Sequence, residues 1–215
     1  MLISLRHNFC FLAQPKCGTT SIEATLKKYC EIRLTGTKYG KHTNFQKYEE
    51  YWGPLVKNQF KIRDMNTICT ARHPISQIIS WYTYKSRASK VGKNDYTGDV
   101  RFEDWFIKKL SNYRNINNTF FLSSDKTIGP SILVPLERID YLEQKVSLLV
   151  GKDIKFAKRN TSAATNANKE ELKSIAWSLQ DKFPEMLRKR IEFHDYLTQL
   201  YDSRDPARKE LIQEV

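Results

Sequence analysis

The segment Ala13-Gln-Pro-Lys-Cys-Gly-Thr-Thr-Ser21 places a lysine, a glycine and three hydroxyl side chains in one short stretch of the chain. The stretch that leads into it, Leu2 to Ala13, is apolar and aromatic toward its end and predicts a buried strand. After it, Ile22 and Leu26 recur at helical spacing, which predicts a helix that begins near Thr19. A strand, a loop and a helix in this order are typical of an α/β fold.

This loop has the composition of an anion-binding turn. Backbone N–H groups at a strand-to-helix turn add to the helix dipole, Gly18 allows a phosphate to approach closely, and Lys16 adds a positive charge. A nucleotide-binding P-loop has the pattern GxxxxGK[ST], but here Ala13 replaces the first glycine and Thr19 replaces the lysine. We therefore predict a phosphate site without a metal ligand. The alternative is an ordinary glycine turn with a surface lysine.

A second strand-to-helix turn follows. Met65 to Ala71 is a β-prone run, Arg72 to Pro74 is the turn, and residues 75–82 have apolar side chains at helical spacing. If the two strands are parallel neighbours, ligands are expected at their carboxyl ends. Arg72 can donate two hydrogen bonds to a phosphate, and Ser80 lies about two helical turns farther along. The alternatives are a surface salt bridge for Arg72 and a solvated helix position for Ser80.

Together, these two turns resemble the signatures of the sulfotransferases, which use 3′-phosphoadenosine 5′-phosphosulfate (PAPS). Pro15-Lys-Cys-Gly-Thr-Thr-Ser21 is similar to their phosphosulfate loop. Arg72-His-Pro74 with Ser80 is similar to their RxPxxRxxS signature, which holds the 3′-phosphate of the nucleotide. This chain has Gln77 where that signature usually has its second arginine.

The resemblance continues into Leu136-Glu-Arg138, Asn160-Thr-Ser162 and the closing helix, so it covers most of the chain. It implies a P-loop-NTPase-like three-layer α/β fold, with a central parallel sheet flanked by helices, as one sulfotransferase domain over residues 1–215. It also implies PAPS as donor, 3′-phosphoadenosine 5′-phosphate (PAP) as product, no metal, and a hydroxyl-bearing acceptor that is a carbohydrate, a glycolipid or a small metabolite. The nucleotide-binding residues that it implies are Lys16, Cys17, Gly18, Thr19, Thr20, Ser21, Arg72, Ser80, Arg159 and Ser162.

Sulfuryl transfer needs a base for the proton of the attacking hydroxyl and a cation that neutralises the leaving phosphate. Lys16 suits the second task. For the first, His42 stands in a glycine-marked turn before Phe45. That placement resembles the His-x-x-Phe segment of the proposed base in some carbohydrate sulfotransferases of the membrane-type branch and their bacterial relatives. We predict His42 and Lys16 as catalytic residues, with Glu23 and Glu137 as the alternative bases.

The remaining histidines and aromatic residues have weaker signals. His194 is expected on the surface of the closing helix, and neither His7 nor His73 has a predicted catalytic role. One hypothesis is that four aromatic residues line an acceptor groove, and burial in the core is the alternative; they are Trp81, Tyr82, Tyr84 and Trp105.

Downstream of the second turn, the sequence predicts a polar, basic loop and then alternating elements. Gly151 is predicted to cap the helix that precedes it. The predicted elements are a loop over 86–100, helices over 102–110, 139–149, 170–179 and 184–201, and strands over 119–123 and 131–136.

Composition and charge narrow the class of protein. The chain has 215 residues, 40% of them hydrophobic, and a net charge of +12, which indicates a globular protein with an anionic partner. The longest apolar run, Phe9 to Ala13, is far shorter than the roughly 20 residues of a membrane span. We also see no secretory signal at the N-terminus. We therefore predict a cytoplasmic protein without a transmembrane segment, the alternative being a catalytic domain of a membrane-anchored parent, and expect its four cysteines to be reduced.

Two other functions compete with the sulfotransferase interpretation. A P-loop nucleotide kinase or phosphotransferase is disfavoured by the missing Walker lysine and by Ala71-Arg72, which stand where a magnesium-binding aspartate is expected. The charge of +12 also suits a nucleic-acid-binding protein, but the sequence contains no helix-turn-helix, zinc or RNA-binding signature. We therefore expect no nucleic-acid partner.

Overall fold

The computed structural model describes residues 1–36, 40–111, 120–157 and 166–202. By its internal contacts the chain divides into two compact units. The first unit contains Met1–Ala71, Asn117–Arg159 and Tyr196–Val215, and the second contains Arg72–Ile116 and Asn160–Asp195. Within the described residues, no helix combines the length and the apolar character that a membrane crossing requires.

A five-stranded mixed sheet with the order β3-β1-β2-β4-β5 forms the centre of the first unit. Its strands are β1 (Leu2–Ser4), β2 (Phe9–Leu12), β3 (Ile32–Arg33), β4 (Asn66–Ala71) and β5 (Ile132–Pro135). The strands β2, β4 and β5 are parallel, with Phe11 opposite Ile68 and Ile68 opposite Ile132. The α/β class and the parallel pairing of β2 with β4 are therefore confirmed.

The other edge of the sheet differs from the prediction. Residues 2–13 form a hairpin rather than one strand, because the chain reverses between β1 and β2 and pairs Leu2 with Phe11. Asn8 lies in this reversal at φ 51°, a left-handed conformation that asparagine adopts more readily than most residues. Strand β3 also runs antiparallel to β1. The sheet is consequently mixed, and the prediction of a parallel sheet is wrong at this edge.

The α-helices of the described residues are, in chain order, α1 (Thr19–Leu26), α2 (Phe45–Lys47), α3 (Gly53–Gln59), α4 (Pro74–Lys85), α5 (Phe102–Ser111), α6 (Ile139–Val150), α7 (Asn166–Ser178) and α8 (Glu185–Asp202). A π-helical turn, Tyr48–Trp52, joins α2 to α3. These bounds confirm the predicted helices. Gly151 follows α6 at φ 70°, which confirms it as the left-handed cap of that helix.

The core of the first unit lies on the central strands. All residues of β1 and β2 are fully buried, as expected for strands that are covered on both faces. Cys10 in β2 and Cys69 in β4 are part of this core, and burial raises the pKa of both thiols. Cys17 and Cys30 are also buried thiols, so the cysteines pack as small apolar side chains, as the sequence indicated.

The second unit is helical and has its own core. Apolar residues of α4, α5, α7 and the start of α8 pack together, and Phe106 and Leu187 are completely buried among them. Trp105 is 9% exposed and belongs to this core, so of the two interpretations of this residue the structure supports burial in the core. The predicted loop over 86–100 is confirmed as an irregular segment with one 3-10 turn, Ala88–Lys90.

One predicted strand is absent from the described part of residues 119–123. Leu122 forms a single antiparallel bridge with Ile128, and the intervening residues form a tight turn. Asp125 accepts a hydrogen bond from the Thr127 amide at 3.0 Å, and Lys126 has a φ of 72°. The turn uses the residues that a longer strand would need for pairing. The other predicted strand, over 131–136, is confirmed as β5.

Candidate phosphate-binding site

The loop between β2 and α1 has an unusual backbone. Lys16 and Gly18 have φ angles of 66° and 73°, in the left-handed region. A Cβ atom on Gly18 would lie 2.6 Å from Cδ1 of Leu136. A side chain at position 18 would therefore be strained by the left-handed backbone and would force the Leu136 side chain to shift, and glycine avoids both costs.

Hydrogen bonds hold the loop against the sheet. The Thr70 hydroxyl of β4 donates to the Cys17 carbonyl at 2.8 Å, and both residues are buried. The Cys17 amide donates to the Gln14 carbonyl at 3.4 Å. The Cys17 side chain is inside the core and both of its backbone groups take part in these bonds, so Cys17 shapes the loop, and the ligand contact that the sequence predicted for it stays a prediction.

Helix α1 begins without a side-chain cap. Gly18 is its N-cap residue, and within α1 no acidic side chain lies in the first turn. The first amide groups of a helix have no acceptor inside that helix and carry its positive partial charge. The turn therefore offers backbone donors to an anion.

The side chains of the predicted phosphate site differ in exposure. Thr20 is exposed, Lys16 and Ser21 are half-buried, and Thr19 is 6% exposed. Thr20, Ser21 and Lys16 can thus reach a ligand from the surface, whereas Thr19 contributes mainly its amide group.

His42 lies at the first residue of this loop. Its Nδ1 atom is 2.6 Å from the Ala13 carbonyl oxygen. A carbonyl oxygen can only accept, so Nδ1 carries the hydrogen, and in the neutral imidazole the lone pair is on Nε2. His42 as a whole residue is exposed, although its Nδ1 contact is partly buried. His42 therefore presents an unprotonated nitrogen beside the loop.

The surroundings of His42 favour its neutral form. Partial desolvation of the ring lowers the pKa of His42 below its ordinary value of 6.5, although the hydrogen bond to Ala13 opposes this change. The positive charge of Lys41 lowers this pKa further. At neutral pH the imidazole can therefore accept a proton.

The segment around His42 is fixed by the turn and helix that follow it. The Thr43 hydroxyl donates to the Gly40 carbonyl at 3.0 Å, and the Phe45 amide donates to the Phe120 carbonyl at 2.8 Å. The Asn44 side chain caps α2 by accepting from the Lys47 amide at 3.0 Å. These bonds explain why His42 stands at a defined place before α2.

The two alternative bases have different surroundings. Glu23 is 6% exposed, and its carboxylate lies 3.6 Å from Lys41 Nζ and 3.9 Å from the Met1 amino group. A side chain that is this deeply buried offers little surface to an acceptor hydroxyl, so Glu23 is poorly placed to act as the base. Glu137 is exposed in the 3-10 turn after β5.

Arg72, the residue after β4, belongs to the second unit and is half-buried. His73 has an extended conformation as the N-cap of α4, and Pro74 is the first residue of that helix, as predicted. Helix α4 has no side-chain cap and no acidic residue in its first turn. Ser80 is half-buried two turns farther along α4.

Sequence reasoning missed two contacts of this second turn. His194 is 5% exposed, so its expected surface position is wrong; its ring packs edge-on against His73, with a centroid distance of 5.3 Å. Gln77 is buried, and its side-chain oxygen accepts a hydrogen bond from Arg190 at 3.3 Å. Arg190 is 113 residues from Gln77, so no local pattern could have identified the pair.

The remaining predicted residues of the nucleotide site, Arg159 and Ser162, lie outside the described residues. In the described part of the chain, no group of three or more His, Cys, Asp or Glu side chains is placed to hold a metal ion. No protein-family model, curated protein or solved structure matches this chain.

Proposed function

We propose that this protein is a PAPS-dependent sulfotransferase that transfers the sulfuryl group to a hydroxyl group of a carbohydrate, a glycolipid or a small metabolite. The observation that carries the proposal is the contact between His42 Nδ1 and the Ala13 carbonyl. It brings a neutral imidazole to the first residue of a loop that has the features of an anion site. The motif resemblance over residues 15–21 and 72–80 indicates that this anion is PAPS.

The loop residues suit the 5′-phosphosulfate end of the donor. The amide groups at the start of α1, the Lys16 ammonium and the Thr20 and Ser21 hydroxyls are donors of the kinds that bind phosphate oxygens. The resemblance assigns Arg72 and Ser80 to the 3′-phosphate and places Arg159 and Ser162 near the nucleotide.

In the proposed reaction the acceptor oxygen attacks sulfur while the bond from sulfur to the oxygen of the 5′-phosphate breaks. The acceptor proton moves to His42 Nε2, the nitrogen that the Ala13 contact leaves unprotonated. The negative charge that develops on the departing phosphate is neutralised by Lys16 and by the amide groups of the loop. The products are a sulfate ester and PAP.

The buried thiols fit a cytoplasmic location, which is part of this proposal. All four cysteines are buried. Thiols of this kind are typical of proteins that function in a reducing compartment.

The test is transfer from PAPS labelled with ³⁵S to a panel of glycans, glycolipids and phenols, in excess EDTA. We expect transfer without divalent metal and calorimetric binding of PAP. The Lys16→Ala variant should bind PAP but show a reduced kcat, because its charge matters most when the phosphate departs. Phosphoryl transfer from ATP that EDTA abolishes and Mg²⁺ restores, with no binding of PAP, would replace the proposal by the kinase alternative.

A further inference from the structure

A cluster of positively charged and aromatic side chains covers the C-terminal end of α4 and the segment after it. We call it the α4 cationic surface. Its members all belong to the second unit and are Trp81, Tyr84, Lys85, Arg87, Lys90 and Lys109. Three of the four cations project from α4 or from residues 87–90, and the fourth projects from α5.

The cations of this surface lie over aromatic rings. Lys90 Nζ and Arg87 Cζ are 4.7 and 5.3 Å from the centre of the Tyr84 ring, and Lys85 Nζ is 5.8 Å from that of Trp81. The Trp81 and Tyr84 rings meet edge-on with a centroid distance of 6.2 Å. These contacts hold the cationic head groups at defined positions.

Lys109 completes the cluster from α5. Its Nζ atom lies 5.7 Å from the ring centre of Trp105, a residue of the buried core. Desolvation lowers the pKa of Lys109, and the positive charge of Lys85 lowers it further. The charges of Lys85 and Lys109 therefore repel each other across this surface, the charge of Asp95 opposes part of this effect on Lys109, and a bound anion would relieve the repulsion further.

The carboxylate that pairs with this surface is Asp95, whose side chain lies 2.9 Å from Lys85 Nζ. The hydrogen bond from Lys85 lowers the pKa of Asp95, and so does the charge of Lys90. The six residues of the surface and Asp95 together carry four positive charges and one negative charge. The surface keeps an excess of positive charge after its internal ion pair is formed.

We propose that the α4 cationic surface binds the acceptor and that this acceptor is an acidic polysaccharide that carries sulfate or carboxylate groups. This inference rests on the proposed sulfotransferase function and narrows its acceptor class. The excess positive charge of the surface is complementary to the repeated anionic groups of such a chain, and the Arg87 guanidinium can bind a sulfate or a carboxylate through two hydrogen bonds.

The aromatic residues argue against single-stranded nucleic acid as the partner. Proteins that bind single strands offer open ring faces on which bases stack. Here the Tyr84 and Trp81 faces lie under cationic groups, and both rings are half-buried. The two rings therefore hold the cationic side chains in place, and these cations, rather than open ring faces, would contact the partner.

The test compares two double variants that each remove two positive charges. Arg87→Gln with Lys90→Gln changes the α4 cationic surface, whereas Lys57→Gln with Lys61→Gln changes two exposed lysines of the first unit. The probes are heparin, neutral dextran and single-stranded poly(dT). We expect the first variant to bind heparin at least about tenfold more weakly and the second to remain within about twofold of the parent, because charge-assisted contacts are local.

Two further measurements separate this inference from the proposed function. PAP binding and the thermal midpoint of unfolding should be the same for the parent and both variants. The KM for a sulfated acceptor should rise in the first variant while kcat is kept. Equal losses of heparin affinity in the two variants, or tighter binding of poly(dT) than of heparin that depends on Arg87 and Lys90, would overturn the acceptor assignment. Failure of the parent to bind PAP would instead contradict the proposed function.

Discussion

The turn after β2 and the turn after β4 both lead from a buried strand into a helix without a side-chain cap, but they are built differently. In the first, Lys16 and Gly18 take left-handed conformations within the loop over residues 13–18. In the second, Arg72 and an extended His73 lead directly into Pro74, the first residue of α4. The first turn gains its shape from glycine, and the second gains it from proline.

Under the proposed function, this difference predicts two ways of binding an anion. The loop before α1 would surround a phosphate with amide groups, so binding there would depend on the backbone and on the packing around Gly18. The turn before α4 is too short to surround a ligand and would contribute mainly the Arg72 side chain. Substitutions should therefore affect the two turns through different physical effects.

The largest effect on kcat is expected from substitution of His42, which contacts the turn after β2. The His42→Ala variant should lose roughly 10²–10⁴-fold in kcat, the usual contribution of a positioned general base. PAP affinity should change little, because in the proposed reaction the imidazole takes the proton of the acceptor hydroxyl and makes no contact with the phosphates of PAP. Steady-state assays with labelled PAPS and calorimetry with PAP measure the two quantities.

The matched control for His42 is His7→Ala. His7 lies in the β1–β2 reversal and packs edge-on against Tyr29 at 6.1 Å, and we assign it no role in the reaction. This variant should keep the parent kcat. A folded His42→Ala protein with the parent kcat would assign the proton transfer to a carboxylate, and the exposed Glu137 would be tested next.

The next largest effect is expected for Gly18→Ala, which tests the backbone dependence of the first turn. The left-handed conformation costs alanine about 1–2 kcal/mol, and the contact with Leu136 adds about 1–3 kcal/mol. Gly151→Ala is the control, since Gly151 has nearly the same φ and no heavy atom within 4 Å of the added Cβ. Denaturant unfolding should show the larger loss of stability for Gly18→Ala, and only this variant should lose PAP binding. Equal losses of stability would mean that Leu136 moves aside without cost.

A smaller effect is expected for Arg72→Ala, which tests the side-chain dependence of the second turn. PAP binding should weaken by about 1.5–3 kcal/mol, the range for a charge-assisted hydrogen bond. The loss should shrink for adenosine 5′-phosphate, which lacks the 3′-phosphate.

Arg138→Ala is the control for Arg72. Arg138 follows β5, donates to the Tyr201 carbonyl at 2.8 Å and pairs with Asp202, so its loss should lower stability without weakening PAP binding. Equal losses of affinity for both nucleotides in Arg72→Ala would remove the assignment of this arginine to the 3′-phosphate.

The sequence predicted the parts of the fold that repeat a strong local pattern. The runs before and after both turns gave β2, β4, α1 and α4 at nearly the observed positions. The β1–β2 hairpin was missed because its strands have only three and four residues and its reversal contains no glycine or proline. The two-residue strand β3 is shorter than any periodic pattern can reveal.

The candidate site was predictable where its residues lie close together in the sequence. Gly18 and Lys16 stand out in the sequence, and the glycine-marked turn at residue 40 pointed to His42. The contact of His42 with Ala13 joins residues that are 29 positions apart, and the contact of Arg190 with Gln77 joins residues that are 113 apart. Such pairs depend on tertiary packing, which brings together residues that no local sequence pattern connects.

The smallest effect is expected for a change of pH near neutrality, measured on kcat/KM. The folded protein lowers the pKa of His42 below 6.5, so its imidazole is mostly neutral at pH 7 and above. Because the neutral form is the base, kcat/KM should rise by about tenfold per pH unit well below this pKa and become nearly constant above pH 7. The residual activity of His42→Ala should lack this rise. A rise that is centred above pH 7 in the parent and persists in His42→Ala would assign the titration to another group. The first turn would then keep its role in binding the donor and lose its role in proton transfer.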